Sequence, residues 1–262
     1  MNYQDRVVCF IDILGFANHI SSSIQPDGSD ATEKIKELSE VFGGIREILD
    51  IDSPAKRQDQ DKEVTQFSDS IVISFPAYSE SGVFDALLEI MWVQMYLVRR
   101  GYLCRGGIVR GRLVHTPTML FGPAMVEAYT LESQAALYPR VILDTEIINT
   151  GVAAHAMHNT PTHEQQNILS LVKKDLDGMY YIDYITCAQS ELDNPELDYP
   201  NYLSELRKII SSGILAQNPS VSIKYKWLQE KLMPHLIQVK EGARRLPIGD
   251  ELREAYESIP DL

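Results

Sequence analysis

Two aspartates stand alone in stretches that otherwise predict buried β-strands. Asp12 ends the apolar run VVCFI, and Asp69 separates the β-rich runs VTQFS and SIVISF. A carboxylate in such a setting is costly unless its charge is paired or bound to a metal ion. Two of them on strands that could be neighbours predict a divalent-metal site with oxygen ligands. A structural interpretation stays open, in which Asp12 caps the helix that begins near Leu14 and Asp69 forms a turn.

The elements that must position these aspartates follow from the hydrophobic pattern. The nearly apolar residues 6–13 predict a central strand, and apolar residues at helical spacing predict helices over 31–50 and 80–100. A charged segment is predicted over 50–63 and a hairpin over 64–75. Strands are predicted over 103–115, 140–144 and 178–185. Helices are predicted over 123–137 and 163–174, with a short helix that follows the strand 140–144 and ends at about residue 152. This β-α-β-β-α-β-like order predicts an α+β fold with a ferredoxin-like core.

The end of the chain has a different character. An acidic connection over 186–200 precedes predicted helices over 199–213 and 219–241, the second with a kink at Pro234. Residues 1–185 are therefore predicted to form one domain and residues 186–262 a helical C-terminal extension. The extension could pack on the core or extend a dimer contact.

Composition excludes some functions. The formal net charge of -13 argues against a protein that binds duplex nucleic acid, which needs a basic face. It does not argue against a nucleotide substrate, because a metal and a few arginines can offset phosphate charge locally. The three cysteines show no CxxC spacing, and no signal peptide or long apolar span is present. We therefore expect a cytoplasmic protein with no membrane contact.

Two further stretches give the two aspartates a context. They are RGGIVRGR at residues 105–112 and FGPAMVEAYTLES at residues 121–133. The order strand-Asp-x-x-Gly-Phe, hairpin with Asp at its turn, strand and helix resembles the class III nucleotidyl cyclases over roughly residues 5–185. Within that family, the segments FSDS and EAYTLE most resemble the pyrimidine cyclases of the bacterial Pycsar anti-phage system, which make cyclic UMP or cyclic CMP.

The resemblance implies a reaction and a metal site. The ribose 3'-oxygen of a nucleoside triphosphate would attack its own α-phosphorus, and pyrophosphate would leave. Two Mn²⁺ or Mg²⁺ ions would be held by Asp12, Asp69 and the backbone carbonyl of Ile13. The sites would lie at the interface of a head-to-tail homodimer, and an effector that senses the cyclic nucleotide would act downstream.

The resemblance also implies substrate contacts. Arg112 stands where the family places a triphosphate-binding arginine. Arg110 is two residues away and is predicted to share its face of the strand, with Arg105 on the other face. Leu14, Gly15 and Phe16 would begin a helix whose N–H groups cradle the triphosphate, although an ordinary strand-to-helix turn fits equally. Phe16 would pack beneath the nucleotide or touch it.

Three departures from the family pattern concern the base and the transition state. Thr65 and Met119 replace the charged residues that read adenine in purine cyclases, and Tyr129 could narrow the pocket for a smaller base or belong to a dimer interface. Val126 and Thr130 replace the transition-state Asn and Arg. The substitutes considered are Arg110, Arg140 and Lys173. Finally, Ser68 replaces the glycine before the second aspartate.

These observations favour a pyrimidine nucleotide cyclase that acts on UTP or CTP, with UTP preferred. One alternative is a catalytically degenerate cyclase fold that binds a nucleotide as a regulatory module, because of Val126 and Thr130. Another is an adenylyl or guanylyl cyclase with unusual base contacts.

Overall fold

The computed structural model describes residues 2–52 and 61–261. Of the charged segment predicted over 50–63, residues 53–60 lie outside the described residues. The centre of the fold is a mixed sheet in the order β2-β3-β1-β4-β6-β8-β7, with β5 paired to β4 alone. The strands are β1 (Gln4–Ile13), β2 (Glu63–Phe67), β3 (Ser70–Pro76), β4 (Cys104–Thr116), β5 (Met119–Phe121), β6 (Val141–Leu143), β7 (Val172–Lys174) and β8 (Tyr180–Ile182).

Helices cover both faces of this sheet and form the end of the chain. They are α1 (Phe16–Ser21), α2 (Thr32–Ile48), α3 (Gly82–Arg99), α4 (Pro123–Gln134), α5 (Thr145–Ala153), α6 (Pro161–Ser170), α7 (Pro195–Ile214), α8 (Pro219–Arg245) and α9 (Asp250–Glu257). The α+β class expected from the sequence, with a helical C-terminal part, is confirmed. In the described parts of the chain, no helix is long and apolar enough to cross a membrane.

The central strand β1 separates two cores because successive side chains point to opposite faces. Val7, Cys9, Ile11 and Ile13 enter the large core, together with residues of α2 and α3. Val8 and Phe10 enter a smaller cluster on the other face, beneath α4. On that face Gly107 and Gly111 lie directly under α4, where an added Cβ would come within 2.9 Å of Leu131 and 3.2 Å of Ala124. Asp12 shares the α4 face with Val8 and Phe10.

The C-terminal helices join the large core. Trp227 of α8 stacks on Tyr138 with 5.5 Å between ring centroids, and its indole N–H donates to Asp175. Arg140 is 1% exposed and pairs with Asp175 and Asp177, while Lys231 of α8 lies 2.6 Å from Asp175. The extension therefore packs on the sheet in this chain. The boundary between residues 185 and 186 stays a prediction.

Local expectations fail where tertiary pairing outweighs the local pattern. The helix predicted over 163–174 ends at Ser170, because residues 172–174 pair with β8 as strand β7. The helix predicted over 123–137 ends at Gln134. Helix α8 continues through Pro234, since the flanking Leu232 and Leu236 are buried and their packing offsets the lost backbone hydrogen bond; the kink at Pro234 stays a prediction. The short β5 and the helix α9 had no clear sequence signal.

Candidate active site

Asp12 and Asp69 meet at one corner of the sheet. Asp12 is the last residue but one of β1 and lies opposite Ser70, the first residue of β3. The N–H of Ile13 donates to the carbonyl of Asp69 over 3.1 Å, which fixes the β2–β3 turn against the end of β1. The predicted hairpin thus brings the second aspartate beside the first. Whether the carbonyl of Ile13 binds metal stays a prediction.

The β2–β3 turn depends on an unusual backbone at Ser68. This residue has φ 53°, in the left-handed region that favours glycine. Because Ser68 stands where the family has glycine, the turn has to be made without glycine's conformational freedom, and the backbone adopts the strained conformation. Non-glycine residues in this region cost of order 1–3 kcal/mol and occur preferentially at functional sites. The strain here orients the turn that carries Asp69.

The two carboxylates are close enough to act on each other. Burial raises the pKa of Asp12, the negative charge of Asp69 raises it further, and the positive charges of Arg105 and Lys224 oppose the shift. Two neighbouring carboxylates that repel each other suit Mg²⁺ or Mn²⁺, which prefer oxygen donors. The donor set therefore fits a divalent cation at Asp12 and Asp69. In the described residues, no larger group of three His, Cys, Asp or Glu side chains could hold a metal.

Arg105 and Glu132 complete the site on the α4 face. Arg105 lies directly opposite Asp12 on β4, and its Nε is 3.8 Å from Asp12 Oδ2 and 2.6 Å from Glu132 Oε1. The N–H does not point at that oxygen, so neither atom makes a directional hydrogen bond. Burial, chiefly, raises the pKa of Glu132. We call Asp12, Asp69, Arg105 and Glu132 the Asp12 cluster.

The turn after Asp12 offers less to a nucleotide than the sequence suggested. Gly15 has φ 73° and begins α1, so its conformational freedom is used. The N–H of Leu14, however, donates to the carbonyl of Leu103 over 2.8 Å and is not available to a phosphate. Phe16 is 7% exposed and packs on Phe42, so its side chain supports the turn from beneath. This packing favours the first of the two options above, in which Phe16 lies beneath the nucleotide, and the contact itself stays a prediction.

Within one chain, Arg110 and Arg112 do not reach the Asp12 cluster, so their predicted contact with a triphosphate stays a prediction. They share one face, as expected, but they lie opposite Val7 and Asp5, on the face away from Asp12. Asp5 is seven residues from Asp12, or about 23 Å along the strand. Arg110 pairs with Asp5 at 2.6 Å, and Arg112 is exposed.

Thr65 and Tyr129, the predicted base contacts, lie on the same face of the sheet as Asp12. Tyr129 of α4 is 54% exposed and contacts Phe10 edge to face, with 5.5 Å between the ring centroids. Phe10 lies two residues before Asp12 on β1. The hydroxyl of Thr65 is already engaged, 2.8 Å from His115 Nε2, whose Nδ1 is 2.8 Å from the hydroxyl of Ser74. Thr65 therefore belongs to a buried polar network, and Tyr129 is the more available of the two.

The transition-state substitutes suggested by the sequence are occupied elsewhere. Arg140 is buried in its pairs with Asp175 and Asp177, and Lys173 lies 2.8 Å from the buried Asp183. Val126 and Thr130 are exposed on α4, and the Thr130 hydroxyl donates to the Val126 carbonyl. Arg140 and Lys173 are thus already engaged in ion pairs within this chain.

Sequence reasoning missed the parts of the site that come from long-range packing. Glu132 was noted only as part of the EAYTLE segment, and Arg105 only for its face. Lys224 of α8 was not considered, although it stands three and four residues before Trp227 and Leu228, on the apolar stripe of that helix. That spacing is the one sequence signal that could have indicated an inward-facing lysine.

Comparisons with known proteins concern the fold. No protein-family model and no curated protein matches the chain. Among solved structures, it is similar to the adenylyl cyclase CyaB from P. aeruginosa (13% identity, 69% of this chain and 94% of that chain, TM-score 0.46). It is also similar to the guanylyl cyclase Cya2 (16%, 58% and 81%, TM-score 0.41). A third is the catalytic core of a rhodopsin-guanylyl cyclase with converted specificity in complex with ATPalphaS (15%, 70% and 96%, TM-score 0.43).

Proposed function

We propose that the protein is a metal-dependent nucleotidyl cyclase that converts UTP or CTP to the 3',5'-cyclic monophosphate and pyrophosphate. The observation that carries the proposal is the meeting of Asp12 and Asp69, from two separate strands, at one partly open corner of the sheet. A purely structural pair of carboxylates would not need to lie so close that the charge of Asp69 disfavours the charged form of Asp12.

The chemistry assigned to this corner is an in-line displacement. The 3'-oxygen bonds to the α-phosphorus, the bond from that phosphorus to the bridging oxygen breaks, and the 3'-hydroxyl proton is released to solvent. Divalent ions bound at the carboxylates would lower the pKa of the 3'-hydroxyl and neutralise charge on the phosphates. The residues of this chain have to bind and orient the triphosphate and to exclude water, because positioning supplies most of the rate enhancement in such reactions.

The choice of a pyrimidine rests on the two positions where the resemblance places charged adenine-reading residues and on Tyr129. Thr65, at the adenine-reading position, is neutral and hydrogen-bonded to His115, and Met119 is an apolar side chain 41% exposed. Neither offers the charge that purine cyclases use. Tyr129 stands over Phe10 on the Asp12 face and would limit the space for a base. Because these contacts do not separate uracil from cytosine, UTP is proposed first and CTP second.

A homodimer is part of the proposal. Helix α4 exposes apolar side chains on the Asp12 face of the sheet, among them Val126 at 66% and Tyr129 at 54% exposure, and Phe121 just before it is 46% exposed. Large exposed apolar side chains that cluster on one face are typical of interaction surfaces. A second copy bound there could also supply Arg110 and Arg112, which do not reach the Asp12 cluster of their own chain.

The proposed role is the production of a second messenger in anti-phage defence. A downstream effector would sense this cyclic nucleotide.

A regulatory module that binds a nucleotide without turning it over is the second candidate. One observation favours it: Arg140 and Lys173, the substitutes considered for the missing transition-state residues within one chain, are held in other ion pairs.

The test is an incubation of the purified protein with each of the four ribonucleoside triphosphates and Mn²⁺, followed by mass spectrometry. Cyclic UMP or cyclic CMP is the expected product. Cyclic AMP or cyclic GMP would overturn the base assignment, and binding without any cyclic product would favour the regulatory module.

A further inference from the structure

Helix α8 of the C-terminal extension is fixed beside the Asp12 cluster. Its Trp227 stacks on Tyr138, and Arg140 lies over the Trp227 ring at 5.6 Å. The carbonyl of Arg140 accepts a hydrogen bond from the N–H of Gly106, the residue that follows Arg105. The contact between helix and sheet is therefore one residue away from the arginine that faces Asp12.

Lys224 lies on the inward side of α8. Residues three and four apart share a helix face, so Lys224 lies on the stripe of Trp227 and Leu228, which are 5% and 0% exposed. Lys226, on the same turn of the helix, is exposed to solvent. Lys224 is half-buried, so it lies on the inward side of α8, whereas Lys226 faces solvent.

The charges around Lys224 are those of the Asp12 cluster. Burial and the positive charge of Arg105 lower the pKa of Lys224, whereas Asp12 and Glu132 raise it. Arg105 is held by Glu132 at 2.6 Å. Lys224, in contrast, has no ion-pair partner within 4 Å among residues 2–52 and 61–261. It is the cation of this corner that is not already committed to a carboxylate.

We infer that Lys224 binds the triphosphate of the substrate from within the same chain, so that the C-terminal extension forms part of the active site. The inference rests on the proposed function and identifies a phosphate contact for it. It also gives the α4 face a cation for the triphosphate, since Arg110 and Arg112 of the same chain lie on the other face. A lysine suits the role because its ammonium offers three donors on a flexible stem and binds phosphate oxygens as a point charge.

The experiment measures binding of inorganic tripolyphosphate by calorimetry at a fixed Mn²⁺ concentration. The proteins are wild type, Lys224→Ala, Lys224→Arg, and Lys226→Ala as the matched control from the same helix. A hydrogen bond to a charged group contributes about 1.5–3 kcal/mol, so Lys224→Ala is expected to weaken binding by about 10- to 100-fold. Lys224→Arg should recover part of the loss, and Lys226→Ala should bind as wild type. Thermal unfolding of each variant separates this effect from a structural one.

The outcomes separate the inference from the proposed function. Equal affinity in wild type and Lys224→Ala, or no tripolyphosphate binding to wild type, would overturn the inference. An unchanged KM in Lys224→Ala, with wild type forming a cyclic nucleotide, would overturn it while the function stands. Weaker binding in Lys224→Ala, with no cyclic product from wild type, would establish the phosphate contact and reject the cyclase assignment.

Discussion

His115 illustrates how single residues near the proposed site are tuned by burial. It is 4% exposed, between the hydroxyls of Thr65 and Ser74, and Ser74 also accepts a hydrogen bond from the buried Arg6. Burial, and then the charge of Arg6, lower the pKa of His115 to about 4. The imidazole is therefore neutral at physiological pH and can accept at one nitrogen while donating at the other.

This depressed pKa predicts a pH dependence of stability. Between the ordinary value of 6.5 and about 4, the unfolded chain binds a proton at His115 that the native chain does not. The contribution of the neutral imidazole to the free energy of unfolding is fully present above pH 6.5. It is lost as the pH falls from 6.5 to about 4, with a limiting slope of about 1.4 kcal/mol per pH unit. Urea unfolding across this range should show the slope in wild type.

The control for this prediction is His115→Gln. Its free energy of unfolding should change less with pH, so the difference between the two proteins should shrink on acidification. Subtracting the stability curve of the variant from that of wild type removes the contributions that carboxylates make to both. Asp12 is one of these, and because its pKa is raised, its contribution to stability grows as the pH falls. Parallel curves for wild type and variant would show that His115 does not titrate as its burial requires.

Single residues were predictable from sequence where a lone charge interrupts an apolar strand. Asp12 and Asp69 were identified in this way, and the structure brings them together. Arg105, Glu132 and Lys224 could not be found in that way because their partners come from other elements. Arg112 shows what residue type alone leaves open: it suits a phosphate, but the strand register places it on the other face of its own chain, about seven residues from Asp12.

At the scale of elements, one ion-pair network attaches the C-terminal helices to the sheet. Arg140 is buried against the stacked Tyr138 and Trp227 rings and pairs with Asp175, which also accepts from Lys231 and from the Trp227 indole. Breaking a buried ion pair leaves an uncompensated charge and costs about 3–5 kcal/mol. We therefore expect Arg140→Ala to destabilise the protein by that amount in chemical denaturation.

Arg244 provides the matched control for that substitution. Its side chain is 60% exposed and its pair with Glu257 is on the surface, so Arg244→Ala should cost less than about 1 kcal/mol. Arg140→Ala should also weaken tripolyphosphate binding, because it loosens the helix that carries Lys224. A loss as small as that of the control would mean that the network does not attach α8.

The main elements were predictable from periodicity, but their ends and the short strands were not. Helices α2 and α3 agree with prediction to within two residues at each end, because long apolar stripes specify them. Strand β7 was read as helix because its three residues become extended only by pairing with β8. Such pairing is a property of the assembled sheet and leaves little trace in a three-residue segment.

At the scale of the whole molecule, the proposed function requires two copies of the chain. We expect Val126→Glu to prevent self-association, because it places a charge in the exposed apolar surface of α4, where Val126 is 66% exposed. The variant should elute as a monomer and lose most of its cyclase activity. Leu215→Glu, at a residue 82% exposed between α7 and α8, is the control and should behave as wild type. An active monomeric variant would contradict an interface site.

The proposed function depends most on Asp12 and Asp69 holding the metal together for nucleotide cyclisation. The most direct measurement compares wild type with Asp69→Ala in the four-triphosphate assay with Mn²⁺, read by mass spectrometry, with Glu230→Gln as an exposed carboxylate control. Wild type and the control should form cyclic UMP or cyclic CMP, and Asp69→Ala should form no detectable product while keeping the wild-type Tm. Full activity in a folded Asp69→Ala protein would contradict the claim.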